Sequence, residues 1–317
     1  MPLYLTEAEV TDLITMPEAI SAVEAAFHAQ ASGLGAGNKP RDRFFLPKGV
    51  LHTMSAALPS KGVMGTKTYT SFGRRARFWV MLYSSDTGDL LAVIEGDRLG
   101  QLRTGAATGV AIKYLASENA TKASLFGTGW QAESQAEALV AVRPGLREVQ
   151  VFSRDSQNRE AFCRKMTAQL GIRFSPLSSP EETARNTQIL ITATASQEPI
   201  LKGDWLSPGD FVAAVGANRI TAREIDEDVV ARAGRVVVDD PDQARAEAAE
   251  LIFAYEHRKW SWANAVPLSQ VVSGQAPGPA SPNEITVFKS LGIALEDIAV
   301  AQVVFENAQA RSVGREL

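Results

Sequence analysis

The segment Leu125-Phe126-Gly127-Thr128-Gly129-Trp130-Gln131-Ala132 constrains this chain more than any other. Ala123 to Phe126 is a short apolar run that must turn tightly into the helical pattern behind it. Gly127 supplies the permissive backbone, Gly129 lets a pyrophosphate approach the main chain, and Ala132 allows close helix-strand contact. The free N–H groups at the start of such a helix hold phosphates. Glycine makes up 24 of 317 residues, so the surrounding pattern must decide whether the match is accidental.

The surroundings alternate between strand and helix signals. Gln131 to Val142 reads as a helix and Glu148 to Phe152 as a short strand. Phe162, Met166 and Leu170 then recur at helical spacing, while Ile189 to Ala193, Phe211 to Val215 and Arg235 to Asp239 are continuous apolar runs typical of buried parallel strands. The expectation is a doubly wound α/β cofactor domain of the Rossmann type over 119–292. After the second strand an acidic residue would accept the ribose hydroxyls of NAD, but Ser153-Arg154 stands there, and an arginine suits a 2′-phosphate. NADP is therefore favoured over NAD, with Asp155 as the alternative ribose acceptor.

Composition excludes several classes of function. A net charge of −4 with dispersed basic residues offers no field for nucleic acid. No apolar run approaches the roughly 20 residues of a membrane span, and the N-terminus lacks a leader pattern, so a soluble, cytoplasmic protein is expected. Three histidines and the single Cys163 show no zinc-binding spacing, so no metal is expected, and Cys163 is expected to be a packed or idle thiol.

The part before the glycine turn has a different texture. Thr6 to Glu9 and Thr15 to Glu18 are capping boxes, and the second opens a helix with Ile20, Val23 and Phe27 on one face. His28, beside that face, is expected to pack or face solvent. Short strand-like pieces follow: Arg43 to Leu46, Leu51 to Met54, Gly65 to Thr70, Phe78 to Tyr83 and Leu90 to Ile94. They predict an α+β domain with an antiparallel sheet or open barrel over 1–118. Arg103-Thr104 precedes a small-residue helix expected over 105–116. An arginine fork beside a helix N-terminus suits a cofactor phosphate or a substrate carboxylate, while the alternative is close helix packing with Arg103 in a salt bridge.

These motifs together resemble the ornithine cyclodeaminase/mu-crystallin family. The resemblance rests on Gly65-Thr66-Lys67, Thr87 to Ala92, Leu102 to Ala107, Gly127 to Ala132, Ala214 to Asn218 and Glu284 to Asp297, in that order along the chain. It implies a homodimer whose N-terminal domain, completed by about 293–317, holds a small amino or imino acid over the nicotinamide. Arg43, Lys67 and Arg103 match the residues that hold the substrate carboxylate, with Arg41 two residues from the first of them. Charge-assisted, bidentate contacts of this kind fix the α-carbon for hydride transfer. By the same resemblance Thr194, Val215, Gly216, Asn218, Ser290 and Leu291 line the cofactor pocket, alongside Gly127, Thr128, Gly129, Trp130 and Gln131.

The departures from the family pattern are informative. Members that cyclise ornithine carry an aspartate and, four residues on, a lysine where this chain has Asn218 and Ala222. An amide cannot take a proton as a carboxylate does. The expected activity is therefore NAD(P)H-dependent reduction of an α-imino acid, with Lys67, Arg103 and Asn218 as catalytic residues and Lys67 as the proton donor. The alternatives are ammonia elimination with bound NAD and a non-catalytic crystallin. Ser71 to Trp79 replaces a longer family loop, and Arg77 there is expected to meet a second anionic group or else to be solvated. His52, on a strand before Lys67, is a candidate proton relay or a structural histidine.

Overall fold

The computed structural model describes residues 1–73 and 75–317. In chain order the elements are β1 (Leu3–Leu5), α1 (Glu7–Leu13), α2 (Met16–Ala31), β2 (Gly37–Leu46), β3 (Gly49–Leu58), β4 (Val63–Phe72), β5 (Arg75–Ser84), β6 (Leu90–Glu95), α3 (Asp97–Leu115), β7 (Lys122–Phe126) and α4 (Trp130–Val142). They continue as β8 (Glu148–Phe152), α5 (Ser156–Leu170), β9 (Arg173–Pro176), α6 (Pro180–Ala184), β10 (Ile189–Thr192), β11 (Phe211–Ala214), α7 (Glu227–Arg232) and β12 (Arg235–Val238). The last are α8 (Pro241–Glu247), α9 (Ala249–Glu256), β13 (Ala265–Pro267), α10 (Leu268–Val272), β14 (Thr286–Lys289), α11 (Ala294–Arg311) and β15 (Arg315–Glu316). Two compact units result, Met1–Ala107 with Gly292–Leu317 and Thr108–Leu291; the first boundary falls inside α3, upstream of the change in periodicity near residue 118.

The first unit is a seven-stranded sheet in the order β15-β1-β6-β5-β4-β3-β2. Its strands pair antiparallel except for β1 with β6. Period-2 patterning sends His52, Met54, Ala56 and Leu58 of β3 inward. On the same face α11 lies so close to β4 that a Cβ on Gly65 would meet Ile298 Cδ1 at 2.5 Å. Both expected capping boxes form, Thr6 with Glu9 and Thr15 with Glu18.

One expectation is corrected here. The helix carrying Arg103 starts at Asp97 rather than at Gly105, so Arg103 sits inside that helix and not at its N-terminus. The start is capped from a distance, because the Glu7 carboxylate accepts the N–H groups of Asp97 and Arg98. Gly100 and Gly105 are tolerated within α3, although glycine weakens a helix interior.

The second unit is an eight-stranded, wholly parallel sheet in the order β13-β12-β14-β11-β10-β7-β8-β9. The order reverses at β7 and β10, the switch point where such sheets bind ligands outside their C-terminal edge. β10, β11 and β14 are buried along their whole length, which explains their mainly apolar sequences, with Thr192 and Lys289 as buried polar ends. Cys163 is buried on α5, and burial pushes its thiol up to about 11, leaving it unreactive. Among the described residues no helix is long and apolar enough to cross a membrane.

Candidate active site

In the first unit the inward face of the sheet brings together charges that are far apart in sequence. Lys67 on β4 is 2% exposed, and its ammonium donates to Asp297 Oδ1 at 2.7 Å. The ring of Phe78 lies 5.2 Å from the same nitrogen. Arg103 Nε donates to Asp297 Oδ1 at 3.0 Å and Nη1 to Glu296 Oε2 at 2.8 Å. Both carboxylates stand at the start of α11 and are buried. Gly292 is obligatory beside them, since φ is +73° and a Cβ there would strike the Arg103 guanidinium.

Arg41, not Arg43, is the arginine inside this cluster. Between Lys39 and Asp42 the β2–β3 register shifts, so that Pro40 and Arg41 together oppose Met54, whose neighbour on β4 is Lys67. Arg41 lies on the Lys67 face at the level of Lys67, where it is 8% exposed and donates from Nη2 to Gly292 O at 2.9 Å. Arg43 is half-buried and sits opposite His52 in the ladder.

The electrostatics follow from burial. Desolvation, then the adjacent Arg103 and, more weakly, Arg41, pushes Lys67 down to about 8 against the pull of Asp297. Desolvation works against the Arg103 charge as well, but Asp297 and Glu296 outweigh it and hold the guanidinium protonated. Three buried cations, Arg41, Lys67 and Arg103, thus gather around Glu296 and Asp297. Such a concentration of guanidinium and ammonium donors suits a carboxylate.

His52 stacks on Tyr69 at 4.1 Å, Tyr69 stacks on Phe78 at 4.7 Å, and His52 Nε2 lies 3.0 Å from Ser71 Oγ. Burial, then Arg43 and Arg41, pushes its imidazole down to about 4, so it is neutral and a weak base at physiological pH. Arg77 is not brought to this cluster: it pairs with Thr70, one residue out of phase with the Lys67, Tyr69 and Ser71 positions, and is exposed on the opposite face. Arg74 of the same basic turn lies outside the described residues.

In the second unit the glycine turn has the geometry a dinucleotide requires. Gly127 adopts φ +111° and donates to Phe152 O at 2.8 Å, while a Cβ there would meet Ala193 O. Gly129 begins α4, no side chain among the described residues caps it, and the space over its Cα is open. These features fit a pyrophosphate on the first turn of α4, which Trp130 and Gln131 begin. Thr128 is half-buried between the two glycines.

Ser153 and Arg154 follow β8, with Arg154 exposed. Asp155, the alternative ribose acceptor, is the N-cap of α5, its carboxylate taking Asn158 N–H at 2.9 Å. Thr194, Val215, Gly216 and Asn218 occupy the loops after β10 and β11. Ser290 and Leu291 follow β14; Leu291 N–H donates to Asp239 at 2.6 Å, and Ser290 Oγ is buried without a hydrogen-bond partner among the described residues. Thr104 lies inside α3, its hydroxyl donating to Gly100 O at 2.8 Å. Ala222 is buried. Sequence reasoning missed Glu296 and Asp297 as partners of the two cations, although both stand in the last of the family motifs.

A parallel dinucleotide sheet joined to a sheet that buries a carboxylate-matched cation cluster defines an NAD(P)-dependent oxidoreductase of imino or amino acids. The chain belongs to the ornithine cyclodeaminase/mu-crystallin family, whose model matches residues 2–312. It is 35% identical to alanine dehydrogenase of Archaeoglobus fulgidus, over 99% of this chain and 98% of that one. The structure of Thermococcus litoralis Δ1-pyrroline-2-carboxylate reductase in complex with NADH and L-proline matches with a TM-score of 0.94 at 29% identity, covering 99% of this chain and 100% of that one. An archaeal alanine dehydrogenase dimer with bound NAD matches with a TM-score of 0.93 at 34% identity, covering 100% and 98%.

Proposed function

We propose that the chain reduces a small α-imino acid to the amino acid at the expense of NADPH. The observation that carries this reading is the buried cluster of Arg41, Lys67 and Arg103 around Glu296 and Asp297. The substrate class is a cyclic ketimine such as pyrroline- or piperideine-2-carboxylate, or the imine of an α-keto acid with ammonia or an amine. The bound nicotinamide supplies the hydride. Arg103 and Arg41 hold the carboxylate, which fixes the imine carbon, and the Lys67 ammonium hands a proton to the nitrogen as it gains electron density. Phe78 and Tyr69 wall the ammonium from water, so its charge acts at low dielectric.

Asn218 and Ala222 argue against cyclodeamination, because neither can take up a proton from the distal amine of ornithine. A homodimer is supported by the exposed Phe44, Phe72 and Trp79 on one face of the first unit's sheet and the exposed Phe45 on the other. NADP is supported by Arg154 and by the engagement of Asp155 as a helix cap. Arg154→Ala is expected to lower the kcat/KM ratio of NADPH over NADH by about tenfold, measured with one imine under both cofactors. An unchanged ratio removes Arg154 from the choice.

The deciding assay follows NADPH and NADH absorbance with cyclic imino acids, and with pyruvate or glyoxylate plus ammonia or methylamine. Ammonia release from ornithine is measured in parallel. Stoichiometric cofactor oxidation with an imine is expected. Ammonia and proline from ornithine without net oxidation overturns the reading in favour of a cyclodeaminase, and tight cofactor binding without turnover overturns it in favour of a crystallin.

A further inference from the structure

Beneath the ends of β10 and β11 lies a group of buried charges separate from the Lys67 and Arg103 cluster. Glu224, in the segment after β11, is wholly buried and its carboxylate takes four donors. Oε1 accepts Thr194 N–H at 2.6 Å and Thr194 Oγ1 at 2.7 Å, and Oε2 accepts Gly216 N–H at 2.5 Å and Thr192 Oγ1 at 3.0 Å. Glu224 N–H in turn donates to Glu250 Oε1 at 3.1 Å, which also takes the Lys289 ammonium at 3.2 Å. Lys289 donates again to Ala217 O at 2.6 Å. The loop carrying Gly216 and Ala217 is thus held from below at both residues, and Thr194 is tied to the same carboxylate.

Packing makes this arrangement tight. A Cβ on Gly216 would meet Thr194 O at 2.3 Å and Glu224 Oε1 at 2.6 Å, so the two loops touch through the carboxylate. Each oxygen of this carboxylate faces one main-chain N–H, a group that can only donate, and one threonine hydroxyl. Burial pushes the Glu224 carboxyl above its ordinary range, opposed by Lys289 and the Thr194 donors. The two N–H groups favour the ionised form, in which both oxygens accept. Two carboxylates against one ammonium leave the group with a surplus negative charge.

In a doubly wound sheet the pyrophosphate crosses at the glycine turn and the adenosine half lies over the neighbouring strand on one side. Here that strand is β8, so the nicotinamide half belongs over β10 and β11. We propose that Glu224 is a positioning residue that clamps the two loops under the nicotinamide, and that the negative surplus of Glu224, Glu250 and Lys289 favours the oxidised, positively charged ring over the reduced, neutral one. This rests on the reading of the second unit as a nicotinamide-binding domain. A bias toward the oxidised ring makes the bound reduced cofactor a stronger hydride donor.

Two variants separate the clamp from the charge. Glu224→Gln removes both, because an amide nitrogen would oppose the N–H and hydroxyl donors. Glu250→Gln removes charge alone, since its remaining carbonyl oxygen still accepts from Glu224 N–H and Lys289. In cofactor-free protein, amide hydrogen exchange at Thr194 and Gly216 is expected to accelerate in Glu224→Gln and to stay unchanged in Glu250→Gln. The ratio of dissociation constants for NADP+ and NADPH, and for NAD+ and NADH, is expected to shift against the oxidised form in both variants. The shift is on the order of tenfold, the scale of one buried charge at an effective dielectric of about 20. Wild-type ratios in both variants, or unaltered exchange in Glu224→Gln, overturn the proposal alone. Failure of the wild-type protein to bind either cofactor pair overturns the nicotinamide reading with it.

Discussion

Replacing Lys67 by methionine is expected to lower kcat/KM for imine reduction about a thousandfold, the range lost when a positioned general acid is removed. The substitution takes away one contact to the carboxylate and the proton for the nitrogen together. The fold should tolerate it, because Arg103 still neutralises Asp297 and the thioether fits between Phe78 and Gly100. The pH profile is the sharper test. Lys67 in the free protein keeps its proton below about 8 and loses it above. Reduction by the wild-type protein should therefore fall as pH rises through that value, whereas amino-acid oxidation, which needs the neutral amine as base, should rise. Both limbs should be absent from the methionine variant. A loss below tenfold with the limbs intact takes Lys67 out of proton transfer.

Arg103→Lys should cost about a hundredfold in kcat/KM although the charge is kept. A lysine still balances Glu296 and Asp297, so the variant folds, but it cannot reproduce the planar fork that fixes the carboxylate and hence the imine carbon. Loss of positioning predicts a fall in kcat as well as a rise in KM. Arg103→Leu is expected to behave differently. It takes from Glu296 its bond to Arg103 and leaves Asp297 with Lys67, and breaking these buried pairs should destabilise the protein by about 3–5 kcal/mol, visible as a lower Tm. If lysine and leucine variants were equally stable and equally active, the Arg103 ion pairs would be neither structural nor catalytic.

Much of the cofactor unit was legible because its signals are local. The glycine turn, the apolar strand Glu148 to Phe152 and the helical spacing of Phe162, Met166 and Leu170 each report on a few adjacent residues. The position of β14 between β11 and β12 was not legible, since strand order is set by packing between distant segments. Lys289 was the available hint: a lysine ending the apolar run Thr286-Val287-Phe288 needs a buried partner, and Glu250 is that partner. The start of α3 was misplaced for a related reason. Its cap is Glu7, a residue of the first helix, and no local capping pattern marks Asp97.

The substrate cluster was legible only through family resemblance, because Lys67, Arg103 and Asp297 come from three elements with no fixed spacing. The choice between Arg41 and Arg43 turned on position along β2. Strict alternation puts both on one face, Arg43 opposite His52 and Arg41 opposite Met54 beside Lys67, and the ladder slips only beyond Arg41, at Pro40. Proline has no N–H to give to a ladder, and its presence within β2 was the signal for an irregularity there. Arg77 illustrates the reverse error, since a one-residue difference in phase on β5 places it on the other side of the sheet.

The three cations Arg41, Lys67 and Arg103 carry a practical corollary for anyone handling this protein. A substrate carboxylate held by buried cations competes with other small monoanions, so chloride, formate and acetate from the buffer are expected competitors of the substrate. Rates in acetate should lie below those in a zwitterionic buffer at equal pH and ionic strength, with the deficit appearing in KM. Esters and amides of the same imino acids, which bring no charge, should be ignored even where their shape fits. Selection begins with the sign of the ligand, and the side chain is read only afterwards.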